Sequence, residues 1–248
     1  MIRALPRRSL LALCALPPAA APAAEGRALR QAPEGPQRGP AEARGALVWA
    51  HAHYAEGPPP GLPPFAARLA AGDHGWDLWR LDRIGARDPL AEGAEALAAG
   101  TAALRAGGYR QVAVIGESRG AFIALTALRT PHLADAMLLL APAAHGTSDA
   151  RKPQALAEFE AALEAAAPDC LARAALVLFR DDPYDPDPEA RARAFRSAMA
   201  RRHIESLLLD RPAEPRGHGG ARDPEFDARF GARLAGFLAP HLTAQGTP

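Results

Sequence analysis

Apolar residues in this chain gather into short blocks separated by polar, glycine- and proline-rich punctuation. Six blocks have the length and apolar content of strands: Ala46–Ala50, Trp76–Leu81, Val112–Ile115, Ala136–Leu140, Ala174–Phe179 and Ile204–Leu209. Between them lie segments with helical spacing. Leu90, Leu97 and Leu104 share one face of a helix over 89–105, and Leu156, Phe159 and Leu163 do the same over 153–167. Shorter helices fit 65–71 and 122–129, where Thr130-Pro131 is the stop, and a further helix begins near Pro188. An amphipathic helix from about Asp223 carries Phe226, Phe230, Leu234 and Phe237. Strand and helix alternate throughout, which predicts an α/β fold: a mostly parallel sheet of about six strands with helices on both faces, a three-layer sandwich.

The ends of the chain follow other rules. Arg3, Arg7 and Arg8 precede the apolar run Ser9–Leu16, and the small residues of Ala21-Pro22-Ala23-Ala24 follow, so residues 1–24 read as a secretory signal peptide. The run is far short of the roughly 20 residues that span a bilayer, so no stable membrane insertion is expected. The protein is expected to be periplasmic or secreted; the Arg7-Arg8 pair fits a twin-arginine export signal loosely. Residues 25–44 lack any hydrophobic period and read as a flexible leader, although Arg27–Arg30 has the makings of a strand stub. A single domain is expected over 45–241, with a disordered tail at 242–248.

Composition narrows the chemistry. The 248 residues carry a net charge of +1, with no basic run in the body of the chain, which gives no footprint for nucleic acid. Lys152 is the only lysine, which disfavours Schiff-base and Ser-Lys chemistry. The two cysteines are Cys14 and Cys170, and removal of a signal peptide leaves one, so no internal disulfide is expected. There is no Cys/His cluster at zinc spacing and no phosphate-binding glycine loop, so a metal-free, cofactor-free mechanism is the expectation. Sequence does not give the oligomeric state.

One stretch carries the chemistry. The run Val112–Ile115 breaks at Gly116-Glu117-Ser118-Arg119-Gly120 and restarts as helix, a strand, sharp turn and helix with the pattern G-x-S-x-G. The glycines let the two backbones approach closely and leave Ser118 exposed at the bend. This resembles the nucleophile elbow of the α/β-hydrolase superfamily, a resemblance covering roughly Leu47 to Leu238. It implies a serine hydrolase that forms an acyl-enzyme on Ser118, with an acid and a histidine following in chain order.

Of the histidines after the candidate acid loop, His203 precedes a strand and His241 lies in the tail. His218, within Gly217–Gly220 at the carboxyl edge of the sheet, is the expected base. The acid belongs in Arg180–Pro188. Loops of the superfamily of the form Asp-Asp-Pro-x-x-Pro put it at Asp182, with Asp181 and Asp185 as alternatives, the other aspartates serving turns and helix caps. The resemblance also places the oxyanion hole at the backbone N–H groups of Arg119 and, from the loop opened by His51-Ala52, of His53. The His51 and His53 rings are expected to brace that loop rather than to react. The Arg119 charge, opposed to the helix dipole, is expected to be compensated by Glu117. Asp82 and Arg83 end a strand at the same sheet edge and read as an ion pair.

Tyr54, His145 and Tyr184 are candidates for lining a substrate pocket. The short connection between Leu140 and Ala174 leaves no room for a large lid. A carboxylic ester is the expected substrate, with amides, thioesters or peptides as alternatives on the same triad and a non-catalytic binding protein as the alternative of a different class.

Overall fold

The computed structural model describes residues 28–53, 59–71, 75–83 and 89–239. The six apolar blocks form strands β2 (Ala46–Ala50), β3 (Asp77–Asp82), β4 (Val112–Glu117), β5 (Ala136–Leu140), β6 (Arg173–Leu178) and β7 (Glu205–Asp210), preceded by β1 (Ala28–Gln31). The sheet therefore has seven strands rather than six, in the order β1-β3-β2-β4-β5-β6-β7. Every pairing is parallel except β1 with β3, where Ala28 lies opposite Asp82 and Gln31 opposite Trp79.

The helices are α1 (Pro64–Ala71), α2 (Leu90–Ala106), α3 (Arg119–Ala127), α4 (Lys152–Glu164), α5 (Pro188–Arg201), α6 (Pro224–Phe226) and α7 (Ala232–Leu238). Strand residues alternate between two cores, as the two-residue period of a strand requires. Val48, Val114, Met137, Leu139 and Leu176 pack under α2 to α5, with Leu97, Phe122, Phe159 and Phe195 among their partners. Leu47, Ile115, Leu138 and Val177 face Phe65 of α1, Phe226 of α6 and Leu234 of α7. The result is the expected three layers.

One expectation needs correction. The stretch 25–44 is not a flexible leader where it is described: it contains β1, whose backbone is satisfied by the free edge of β3, and a turn that is tied down. The N–H groups of Arg38 and Gly39 each donate to the buried Asp77 carboxylate at 2.8 Å, and the Tyr109 hydroxyl donates to it at 2.7 Å. The last helix runs unbroken over 224–238, as expected, but changes pitch on the way. A π-helical turn over Asp227–Gly231 separates α6 from α7, where the Asp227 carboxylate turns to pair with Arg68 of α1; a Cβ on Gly231 would occupy the space this carboxylate takes. The proposed signal peptide, the tail and Tyr54 lie outside the described residues.

Candidate active site

Parallel strands deliver their following loops to one edge, and the order β2-β4-β5-β6-β7 brings five of those loops together. Ser118 leads from β4 into α3 with φ 53° and ψ −117°, a backbone conformation few non-glycine residues adopt. The bend is held by its surroundings. The Ser118 N–H donates to the Leu140 carbonyl (2.9 Å), and the Ser118 carbonyl accepts from Phe122 and Ala143 N–H (both 3.1 Å). Gly116 and Gly120 are required by contact: a Cβ on Gly116 would lie 2.6 Å from Ala121 Cα, and one on Gly120 would run into the Ala50 carbonyl and stand 2.6 Å from the His51 carbonyl oxygen.

His218 Nε2 lies 2.7 Å from Ser118 Oγ, and His218 Nδ1 lies 3.0 and 2.9 Å from the two Asp182 carboxylate oxygens. A carboxylate only accepts, so Nδ1 carries the hydrogen and Nε2 is left to accept from the serine hydroxyl. The three residues selected from sequence are thus brought into one hydrogen-bonded line. The alternatives are placed elsewhere. Asp181 is exposed and pairs with Arg216 at 3.2 Å, while Asp185 is buried against Arg191 at 3.6 Å. Burial pushes the Asp185 carboxyl up to about 6, with Arg191 opposing the shift. Asp187 caps α5 by accepting from Ala190 N–H, as a helix-capping aspartate does.

The histidine loop is fastened on both sides. Gly217 N–H donates to the Arg180 carbonyl of the loop carrying Asp182 at 2.8 Å, and Arg222 forms a two-pronged pair with Glu117, the residue before Ser118. This corrects the expectation that Glu117 compensates Arg119. The Glu117 carboxylate is engaged by the Arg222 guanidinium, which matches its planar geometry and ties the elbow to the loop carrying His218.

A cavity of about 390 Å³ opens over Ser118. Ala52, His53, Arg119, Ala143, Ala144, Gly146, Tyr184 and His218 line it with Ser118. The Tyr184 ring lies tilted against the His218 ring with centroids 4.3 Å apart and lines the cavity, as expected for that candidate. His145 does not. Its side chain is 8% exposed, donates from Nε2 to the Glu158 carboxylate at 2.8 Å and meets the edge of Phe122, so it braces the loop while its small neighbours line the cavity. A larger hollow of about 600 Å³ lies beside Asp182, Asp185, Asp210 and Arg211, and neither Ser118 nor His218 lines it.

Arg119 N–H belongs to the first turn of α3, where backbone donors have no intrahelical acceptor. The His51 ring is fully buried, and Arg83 reaches it. Burial first, then the Arg83 charge, lowers the His51 pKa to about 4, so the imidazole is neutral at pH 7 and serves as scaffold. Asp82 and Arg83 do not pair with each other: Asp82 accepts from Arg80 at 2.8 Å and pairs with Arg30 at 3.3 Å. Among the described residues no group of histidine, cysteine, aspartate or glutamate is arranged to hold a metal ion, and no helix is long and apolar enough to cross a membrane.

The His51 shift has a measurable consequence. An unfolded imidazole titrates near 6.5, so between about pH 4 and 6.5 the unfolded chain holds a proton that the folded protein does not. Stability from this group is present above pH 6.5 and is lost as pH falls toward 4, a loss on the order of 2 kcal/mol by pH 5. Asp185 works the other way across the same range, because its folded form holds the extra proton. Urea midpoints at pH 7 and pH 5 separate the two, since the stability gap between wild type and His51→Gln is expected to shrink on acidification.

No family model matches the chain, and no curated protein matches it. Solved structures do. An esterase of Pyrococcus furiosus, Pf2001, superposes with a TM-score of 0.54 at 14% identity, over 79% of this chain and 80% of its own. Brefeldin A esterase, a bacterial homologue of human hormone-sensitive lipase, gives 0.54 at 16%, over 85% and 71%. Puromycin hydrolase gives 0.57 at 22%, over 83% of this chain and only 34% of its own. The fold is that of the α/β-hydrolases.

Proposed function

We propose that this protein is a serine hydrolase that cleaves carboxylic esters through an acyl-enzyme. The observation that carries the reading is the continuous relay from Ser118 Oγ through the His218 ring to the buried Asp182 carboxylate. His218 Nε2 takes the hydroxyl proton as Ser118 Oγ bonds to the carbonyl carbon. It then returns that proton to the alcohol oxygen as the C–O bond breaks. Water repeats the exchange on the acyl-enzyme and restores Ser118. Asp182 holds the imidazole in the required tautomer and stabilises its charged form. N–H groups of Arg119 and His53 receive the oxyanion, each worth about 3 kcal/mol in transition-state stabilisation.

Small esters suit the cavity, since only a 3-10 turn at Asp149–Arg151 and α4 lie between β5 and β6 and nothing there forms a large lid. The arginine-led apolar run at the N-terminus supports export to the periplasm or medium. The test is a matched panel of p-nitrophenyl acetate, the corresponding p-nitroanilide and a thioester. Turnover of the ester above the other two is expected. Faster turnover of the anilide or thioester replaces the ester assignment, and a folded protein that turns over none contradicts catalysis.

A further inference from the structure

Arg83 follows β3, and β3 lies beyond β2 from the nucleophile strand β4. Its side chain nevertheless reaches the loop after β2. Arg83 Nη2 stands 2.9 Å from the Ala52 carbonyl oxygen, 3.1 Å from the His51 carbonyl oxygen and 2.9 Å from His51 Nδ1. The residue is only 7% exposed and does not line the cavity over Ser118, whereas Ala52 and His53 do. The guanidinium therefore holds the loop from behind.

A trans peptide unit is planar, and its C=O and N–H point in opposite directions. The Ala52 carbonyl and the His53 N–H belong to one such unit. Fixing the carbonyl on Arg83, with His51 Nδ1 a second contact at 2.8 Å, aims the His53 N–H away from Arg83 and toward the side on which His53 borders the cavity. If that unit turned over, a carbonyl oxygen would face the place where negative charge develops. On the opposite wall, Gly120 of α3 packs so closely on the Ala50 and His51 carbonyls that the loop has little freedom to shift in that direction. A planar guanidinium suits the task because it offers several donors from one rigid fork, where a lysine offers a single mobile head.

We infer that Arg83 is a positioning residue for the oxyanion hole, setting the Ala52–His53 peptide so that the His53 N–H meets the oxyanion. The inference rests on the hydrolase reading above. Because Arg83 acts through a donor used in the transition state, its loss falls on kcat more than on KM.

The experiment compares wild type, Arg83→Ala and Arg83→Lys on p-nitrophenyl acetate, with a melting curve for each and with guanidinium chloride added at a few millimolar. Arg83→Ala is expected to lose about ten- to a hundredfold in kcat, bounded by the loss seen when an oxyanion donor is deleted, with KM within about threefold. Guanidinium is expected to restore part of that rate in Arg83→Ala and none in wild type. If Arg83→Ala does not melt cooperatively, Arg83→Lys carries the test, with the same fall in kcat at steady KM expected in a smaller degree. A folded variant with wild-type kcat overturns the inference, as does a loss confined to KM or one that guanidinium leaves untouched in a folded Arg83→Ala. A wild type that hydrolyses nothing instead removes the hydrolase reading, and this inference with it.

Discussion

Gly120→Ala is expected to cost about 4 kcal/mol or more of stability, a large part of the roughly 5–15 kcal/mol that holds an ordinary domain folded. The added Cβ would meet the carbonyl group of Ala50 and approach the His51 carbonyl oxygen to 2.6 Å. These are backbone atoms at the end of a central strand, so no side chain can swing aside to make room. Relief requires α3 to move off β2, and that motion carries Ser118 away from His218. Activity is therefore expected to fall even in whatever fraction remains folded. Gly236→Ala in α7 is the control, because a Cβ there meets nothing within 4 Å. Exchanging glycine for alanine inside a helix favours folding by up to about 1 kcal/mol. Urea titrations of the two variants are thus expected to shift in opposite directions, and equal shifts would remove the close-approach argument for the elbow.

His218→Ala is expected to abolish turnover by a factor of about 10⁴ to 10⁶ with little effect on the melting temperature. The ring is partly exposed at the cavity rim, so its removal takes the base without emptying the core. Ser118→Ala is expected to fall equally far, and the double variant no further, because nucleophile and base act as one unit. Asp182→Asn keeps the shape but presents an amide to His218 Nδ1, favouring the wrong tautomer, and about 10⁴ of kcat is expected to go with it. Asp181→Asn loses an exposed pair with Arg216 and is expected to stay within threefold of wild type. Steady-state kinetics on the two aspartate variants distinguishes the proposed acid from its neighbour in sequence. A large loss in Asp181→Asn with little in Asp182→Asn would reverse the assignment.

What the sequence reveals follows from how local each feature is. The strands β2 and β4 to β6 are mainly apolar blocks, and burial on both faces of a parallel sheet is what writes such blocks, whereas the edge strand β7 keeps an apolar run only over Leu207–Leu209. β1 is different: Ala-Leu-Arg-Gln has no alternation, and its strand conformation comes from pairing with the edge of β3, a partner some fifty residues distant. The π-turn before α7 likewise arises from a tertiary pair, Asp227 with Arg68, in a stretch whose spacing alone reads as plain helix.

The site divides in the same way. Ser118 is legible because its strained bend depends on glycines two residues either side. Asp182 and His218 are legible because the loops that hold them are bounded by prolines and glycines and follow recognisable strands. The contacts that fasten the site are not: Arg222 with Glu117, Arg191 with the Pro142 carbonyl, and Arg83 with the His51-Ala52 carbonyls each join segments that meet only once the sheet order is known. Arginine is abundant along the whole chain, so no single one stands out. His145 shows the converse, since its place after β5 is right for a pocket residue but the side chain turns to Glu158 and Phe122.

The measurement that addresses the central claim most directly is intact-mass detection of fluorophosphonate labelling on wild type, Ser118→Ala and His218→Ala. It reads activation of the serine without requiring the natural substrate. One adduct on the wild type, absent from both variants, is the expected result. A folded wild type that takes no adduct, or a Ser118→Ala variant that still takes one, would contradict the assignment of Ser118 as the nucleophile.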